Sequence, residues 1–189
     1  MDEKPFKMTG RSRFKTFAYM LNAAGGLADT SKEYEPGSNH TRLAAVMFSA
    51  LSIEAFLNDI GEQKLTYWSI IEPKMSWRNK LDLILHDIGF KPDFGCRPYQ
   101  TLKQLFQLRD KLAHGKSVEG ESSYLHQPGK PDPSDYMDPD WLKTCINDET
   151  VARVIEDVRK IIHELAEKAG FGSFYWASIS EGSFTGGRE

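Results

Sequence analysis

The stretch Leu108–Lys116, LRDKLAHGK, sets Arg109 and His114 five residues apart, with Asp110 directly after the arginine. Arginine is a permanent cation whose planar fork of donors suits phosphate, and histidine is the side chain that exchanges protons near neutral pH. Together they can carry phosphoryl chemistry, one group holding and neutralising charge while the other moves a proton. Each also has a plain structural use. A histidine at a helix end answers the helix dipole beside a Gly115 stop, and an arginine on an apolar face makes an inward salt bridge.

These residues need a helix to position them. Leu102, Leu105, Phe106, Leu112 and Ala113 recur at helical spacing and predict one over 99–114, with Arg109 on its apolar face. An unpaired guanidinium is costly there, so Arg109 should have a partner or a cleft. Asp110 points elsewhere on the helix, which makes Glu54 or Asp59 of an earlier helix the more natural partner. Five residues correspond to about 140° around an ideal helix. Arg109 and His114 therefore flank a cleft more readily than they touch, and a partner subunit could bring them together functionally.

Charge is distributed to match. Residues 86–116 carry 6 Lys/Arg against 3 Asp/Glu, and Lys111 and Lys116 lie beside the Arg/His pair, so a local anionic ligand suits this segment. Residues 117–189 carry 7 against 14, and the whole chain 24 against 27, which excludes a generic, strongly basic polyanion binder. Residues 117–140 are rich in Pro, Asp, Ser and Gly and read as a long acidic loop that could screen the cleft or mimic its substrate.

The remaining pattern is helical. Leu43, Val46, Met47, Ala50, Ile53, Leu57 and Ile60 predict a helix over 39–64 with Asn39 as N-cap. A shorter helix runs through Phe14, Phe17, Ala18, Leu21 and Ala24 and is interrupted or ended at Gly25-Gly26. Ser76 caps a helix from Trp77 to about Ile88, and a last one runs from near Asp148 to Gly170 through Val151, Val154, Ile155, Val158, Ile161, Ile162 and Leu165. No strand pattern stands out. A chain of 189 residues is expected to make one domain, with a core over about 10–170. In the tail after 170, Phe171, Phe174, Tyr175 and Trp176 are expected to dock on the core rather than contact a partner. The fold class is all-α, a helical bundle of four to five helices.

Other chemistries are poorly represented. Cys96 and Cys145 form no CxxC or Cys/His cluster, and Asp132, Asp135, Asp138 and Asp140 lack the spacing of a calcium loop, so neither metal nor cofactor is expected. No glycine-rich phosphate loop or Ser/His/Asp arrangement is present. The N-terminal residues do not resemble a signal peptide, and no segment approaches an uninterrupted membrane-spanning run. A soluble cytoplasmic protein is expected.

The run Arg109-Asp110-Lys111-Leu112-Ala113-His114 at a helix end, together with LFQLRDKLAHGK and the helix ALSIEAFLNDIGE at 50–62, resembles the HEPN domain (higher eukaryotes and prokaryotes nucleotide-binding) of bacterial proteins. The resemblance covers about residues 40–116 and does not extend to the acidic loop or the aromatic tail. It implies a HEPN-like bundle and a homodimer pairing two Arg/His motifs in one cleft. In active members it implies metal-independent RNA cleavage that leaves a 2′,3′-cyclic phosphate, as in prokaryotic toxin or phage-defence systems with an antitoxin-type protein partner. By that analogy His114 exchanges protons, Arg109 binds the phosphate and Asp110 orients one of them. Lys111 and Lys116 are expected to bind or support substrate; Glu54 and Asn58, about one turn apart on the early helix, either line the cleft or close polar networks between helices, the structural role being favoured. The composite site needs a dimer, expected to form through the helices carrying Ile53, Leu57, Phe106 and Arg109. A non-catalytic helical module binding RNA, a nucleotide or a protein partner is the other expectation.

Overall fold

Ser76 caps a helix as its position predicts: its Oγ accepts from the Asn79 amide at 3.2 Å and the helix begins at the next residue. In the computed structural model, which describes residues 7–34, 37–117, 129 and 140–187, the chain is mostly helical. The order is β1 (Lys7–Phe14), α1 (Thr16–Glu33), α2 (Ser38–Lys64), α3 (Trp68–Ile71), a 3-10 turn (Glu72–Lys74), α4 (Trp77–Asp87), α5 (Tyr99–Ala113), α6 (Asp140–Cys145), α7 (Asp148–Lys168) and β2 (Ser180–Gly187). The five helices of eleven residues or more are those expected. Most of the acidic loop, with Asp132, Asp135 and Asp138, lies outside the described residues, while Asp140 begins α6.

The mostly helical content fits the all-α expectation, and a small two-stranded ribbon accompanies the helices: β1 pairs antiparallel with β2 from Lys7↔Gly187 to Phe14↔Ser180. Two expectations need correction. First, α1 runs straight through Gly25-Gly26 to Glu33, and Phe14 belongs to the strand, 58% exposed, rather than to the helix stripe. Second, α2 begins at Ser38; Asn39 lies inside its first turn and its Oδ1 accepts from Arg42 Nη1 at 3.2 Å. By length and composition α2 is also apolar enough to cross a membrane, although 50% of its most apolar stretch is buried inside the protein and Ser49, Ser52 and Glu54 interrupt the apolar run.

The contacts form two compact units. One comprises residues up to Met20, Ser52–Lys91 and Ile162 onward; the other comprises Leu21–Leu51 and Pro92–Ile161. Helices α1, α2 and α7 contribute residues to both.

In the first unit Phe17, Phe56, Leu57, Ile60, Leu81 and Leu165 are buried. Tyr175 joins them, its ring stacked on Phe17 at 5.8 Å and on Phe171 at 4.7 Å between centroids. The tail thus docks as expected at Tyr175, whereas Phe174 stays 83% exposed. Two buried lysines carry the polar structure here. Lys15, 1% exposed, donates to the Tyr175 carbonyl at 2.8 Å, ion-pairs with Glu181 and lies 3.9 Å from the Tyr175 ring centroid. Lys80 donates to Asn58 Oδ1 at 2.9 Å and ion-pairs with Glu72. Both ammonium groups are compensated, as burial requires.

Asp59 gathers a third cluster in this unit. It ion-pairs with Arg13 and accepts from the Tyr175 hydroxyl at 2.5 Å, while Gln63 Nε2 donates to that hydroxyl at 2.7 Å. Burial, reinforced by the Asp59 carboxylate, pushes the Tyr175 phenol from 10.0 up to about 12. A phenol whose folded value lies above its unfolded value contributes stability that is present below about pH 10 and lost as the pH rises toward about 12. In urea melts Tyr175→Phe is therefore expected to flatten the loss of stability across that window; a decline as steep as the wild type's would refute the assignment.

The second unit buries Leu21, Ala24, Val46, Leu102, Leu105, Phe106, Val154 and Val158. Within this apolar layer Asp157 is 1% exposed. Arg97 holds it as a fork, Nη2 to Oδ1 and Nε to Oδ2 both at 2.8 Å, and the Thr101 hydroxyl donates to Oδ2 at 2.5 Å. Asp157 thereby ties the segment leading into α5, and the first turn of α5 itself, to α7.

Candidate functional site

Helix α5 buries Tyr99, Thr101, Leu102, Leu105, Phe106 and Leu108, which fixes its orientation over its first ten residues. The stripe then fades. Leu112 is half-buried and Ala113 is exposed, so the last turn of α5 is freer of the core than its composition predicts.

Arg109 sits where the stripe ends. Its side chain is 21% exposed, its Nε is shielded from solvent, and its guanidinium carbon lies 5.5 Å from the Phe106 ring centroid. Arg109 Nη1 ion-pairs with Asp110 Oδ1 at 2.8 Å. This corrects the expectation that Asp110 points away: two adjacent side chains meet because the long arginine reaches back around the helix to its neighbour's carboxylate. Asp59, one of the two partners expected for Arg109, is instead engaged by Arg13, Tyr175 and Gln63.

His114 caps the helix. Its backbone has φ −122° and ψ 12°, its amide donates to the Asp110 carbonyl at 2.9 Å, and its side chain is exposed. Among the described residues the imidazole makes no hydrogen bond or ion pair. The residue after it must be glycine-sized, because a Cβ at Gly115 would collide with the Lys111 carbonyl. Lys111 and Lys116 are exposed on either side.

The second unit therefore holds Arg109, Asp110, Lys111, His114 and Lys116 on the last turn of α5 and just past it. Glu54 and Asn58 belong to the first unit, where Asn58 serves Lys80. Chemically, the helix end offers a cation fixed by a carboxylate and an aromatic face, followed one turn later by a solvated imidazole. A clamped guanidinium can bind an oxyanion without first being ordered, and a solvated imidazole can exchange protons with a bound substrate. Among the described residues no group of three His, Cys, Asp or Glu side chains is placed to hold a metal ion.

Sequence reasoning missed the Phe106 face under Arg109, although the i, i+3 spacing of an aromatic and an arginine on one helix is a readable signal. No family model matches the chain, and no curated protein or solved structure does.

Proposed function

We propose that the chain is a HEPN-like, metal-independent endoribonuclease of the prokaryotic toxin or phage-defence type, working as a homodimer whose two Arg109/His114 pairs share one cleft. The observation that carries this reading is the pairing of Arg109 with Asp110 at 2.8 Å at the end of α5, directly before an exposed His114 at the helix cap. His114 takes the proton of a ribose 2′-hydroxyl, the freed oxygen attacks the adjacent phosphorus, and the 5′-oxygen departs with a proton returned by an imidazolium. Arg109 holds the phosphate and offsets the charge that builds on its oxygens. Asp110 keeps the guanidinium in place. An antitoxin-type protein would silence the site by covering this helix end.

The alternative is a non-catalytic module binding RNA, a nucleotide or a protein through the same surface, favoured by the formal charge of −3 and by the carboxylate already on Arg109. One incubation separates the two. With excess chelator, a mixed RNA is expected to be cut to cyclic-phosphate and 5′-hydroxyl ends, while DNA of the same sequence stays intact for want of the 2′-hydroxyl. Binding of RNA without cleavage by a folded dimer would leave only the alternative standing, and cleavage of the DNA would exclude the 2′-hydroxyl mechanism.

A further inference from the structure

We infer that a cavity of about 500 Å3 walled by α2, α5, α6 and α7 binds a small amphipathic organic anion, a single anionic head on a compact apolar body. The cavity lies within the second unit, and its size falls in the range of about 300–1,000 Å3 typical of small-molecule sites. Val46, Leu105, Leu108 and Val154 give it an apolar floor, and each is buried by the fold itself. That floor asks for an apolar body.

The head is specified by the walls. Lys111 of α5 and Arg153 of α7 face the cavity against one carboxylate, Glu149, so the lining carries an excess of one positive charge. Both cations lie near enough to the Cys145 thiol, itself on the cavity wall, to oppose the upward push that burial gives it. The wall between α6 and α7 is already ordered. Asn147 accepts from the Thr150 amide at 2.9 Å, capping α7, and donates to the Thr144 carbonyl at 3.0 Å. A pre-formed, half-apolar cavity with a convergent positive charge recognises an amphipathic anion better than a neutral or cationic ligand.

The inference does not depend on RNA cleavage by Arg109 and His114. Its position nonetheless bears on that helix end, because Lys111 precedes His114 by a rise of about 4.5 Å along the axis. An anion held by Lys111 lowers the positive field at His114.

An amide-resolved NMR titration of the full chain tests the site, with 1-naphthoate as probe and its neutral carboxamide as control. Naphthoate is expected to give saturable shifts confined to the second half of α5 and the α6–α7 turn, with the carboxamide at least about tenfold weaker. Arg153→Met should lower naphthoate affinity about tenfold and erase the preference for charge. Gln104→Trp, a change from an exposed position on the cavity wall, should block binding while the melting temperature holds. Equal binding of the carboxamide, unchanged affinity in Arg153→Met, or no saturable shift at millimolar probe would overturn the assignment.

Discussion

His114→Ala is expected to lower metal-independent RNA cleavage at least about a hundredfold, the scale of a lost general acid–base group. The exposed imidazole makes no hydrogen bond or ion pair among the described residues. Its removal should therefore move folding stability by no more than about 0.5 kcal/mol. A large loss of rate with an unchanged melt separates chemistry from architecture, and Arg109 supplies the complement. Arg109→Lys keeps the charge but loses the planar fork over Phe106 and toward Asp110. If Arg109 acts on the phosphate, that conservative change costs rate as well. Retention of full activity in His114→Ala would remove the histidine from the mechanism and leave this helix end as a binding surface.

The largest effect on stability should come from Asp157→Ala. The carboxylate is 1% exposed and is held by the Arg97 fork and the Thr101 hydroxyl. Removing it leaves a buried hydroxyl and a guanidinium without their acceptor, and breaking buried pairs of this kind costs about 3–5 kcal/mol. Arg97 is 47% exposed and recovers some hydration, so the expected cost is about 3 kcal/mol. Asp157→Asn retains an acceptor for Thr101 and should cost clearly less. Urea unfolding measures both, and a loss under about 1 kcal/mol in Asp157→Ala would mean that the cluster adds little beyond packing.

What the sequence makes legible in this protein is what short-range chemistry decides. Ser76 caps α4 because its hydroxyl needs only the amide three residues on, and the α7 stripe from Val151 to Leu165 is buried where its spacing puts it. Gly25-Gly26 misleads because intrinsic propensity, worth about 1 kcal/mol for each glycine, yields to burial of Leu21, Ala24 and Ala28 around it. Gly25 also leaves room for the Arg159 guanidinium, 3.1 Å from where a Cβ would stand.

At the candidate site the residue types and their helix were readable, whereas the contact of Arg109 with Asp110 was not. Ideal helical angles separate residues 109 and 110, but a side chain as long as arginine is not bound by its Cα direction. The two strands gave no signal at all. KMTGRSRF and SEGSFTGG show no apolar alternation because the side chains from Thr9 to Ser12 and from Glu181 to Ser183 are exposed. Their pairing depends on residues from opposite ends of the chain. The burial of Lys15 is equally hidden, since its acceptors on Tyr175 and Glu181 lie 160 and 166 positions away.

The β1–β2 ribbon also sets a timetable. Pairing Lys7 with Gly187 joins the first and last described residues, yet closure entropy grows only with the logarithm of loop length, so the finished ribbon is little penalised for its reach. Kinetically the reach matters far more, because distant pairings wait for local ones. During synthesis β1 emerges first and stays unpaired until β2, the last element in chain order, has followed it out of the ribosome. The helices, built on local contacts, are expected to form before the ribbon closes.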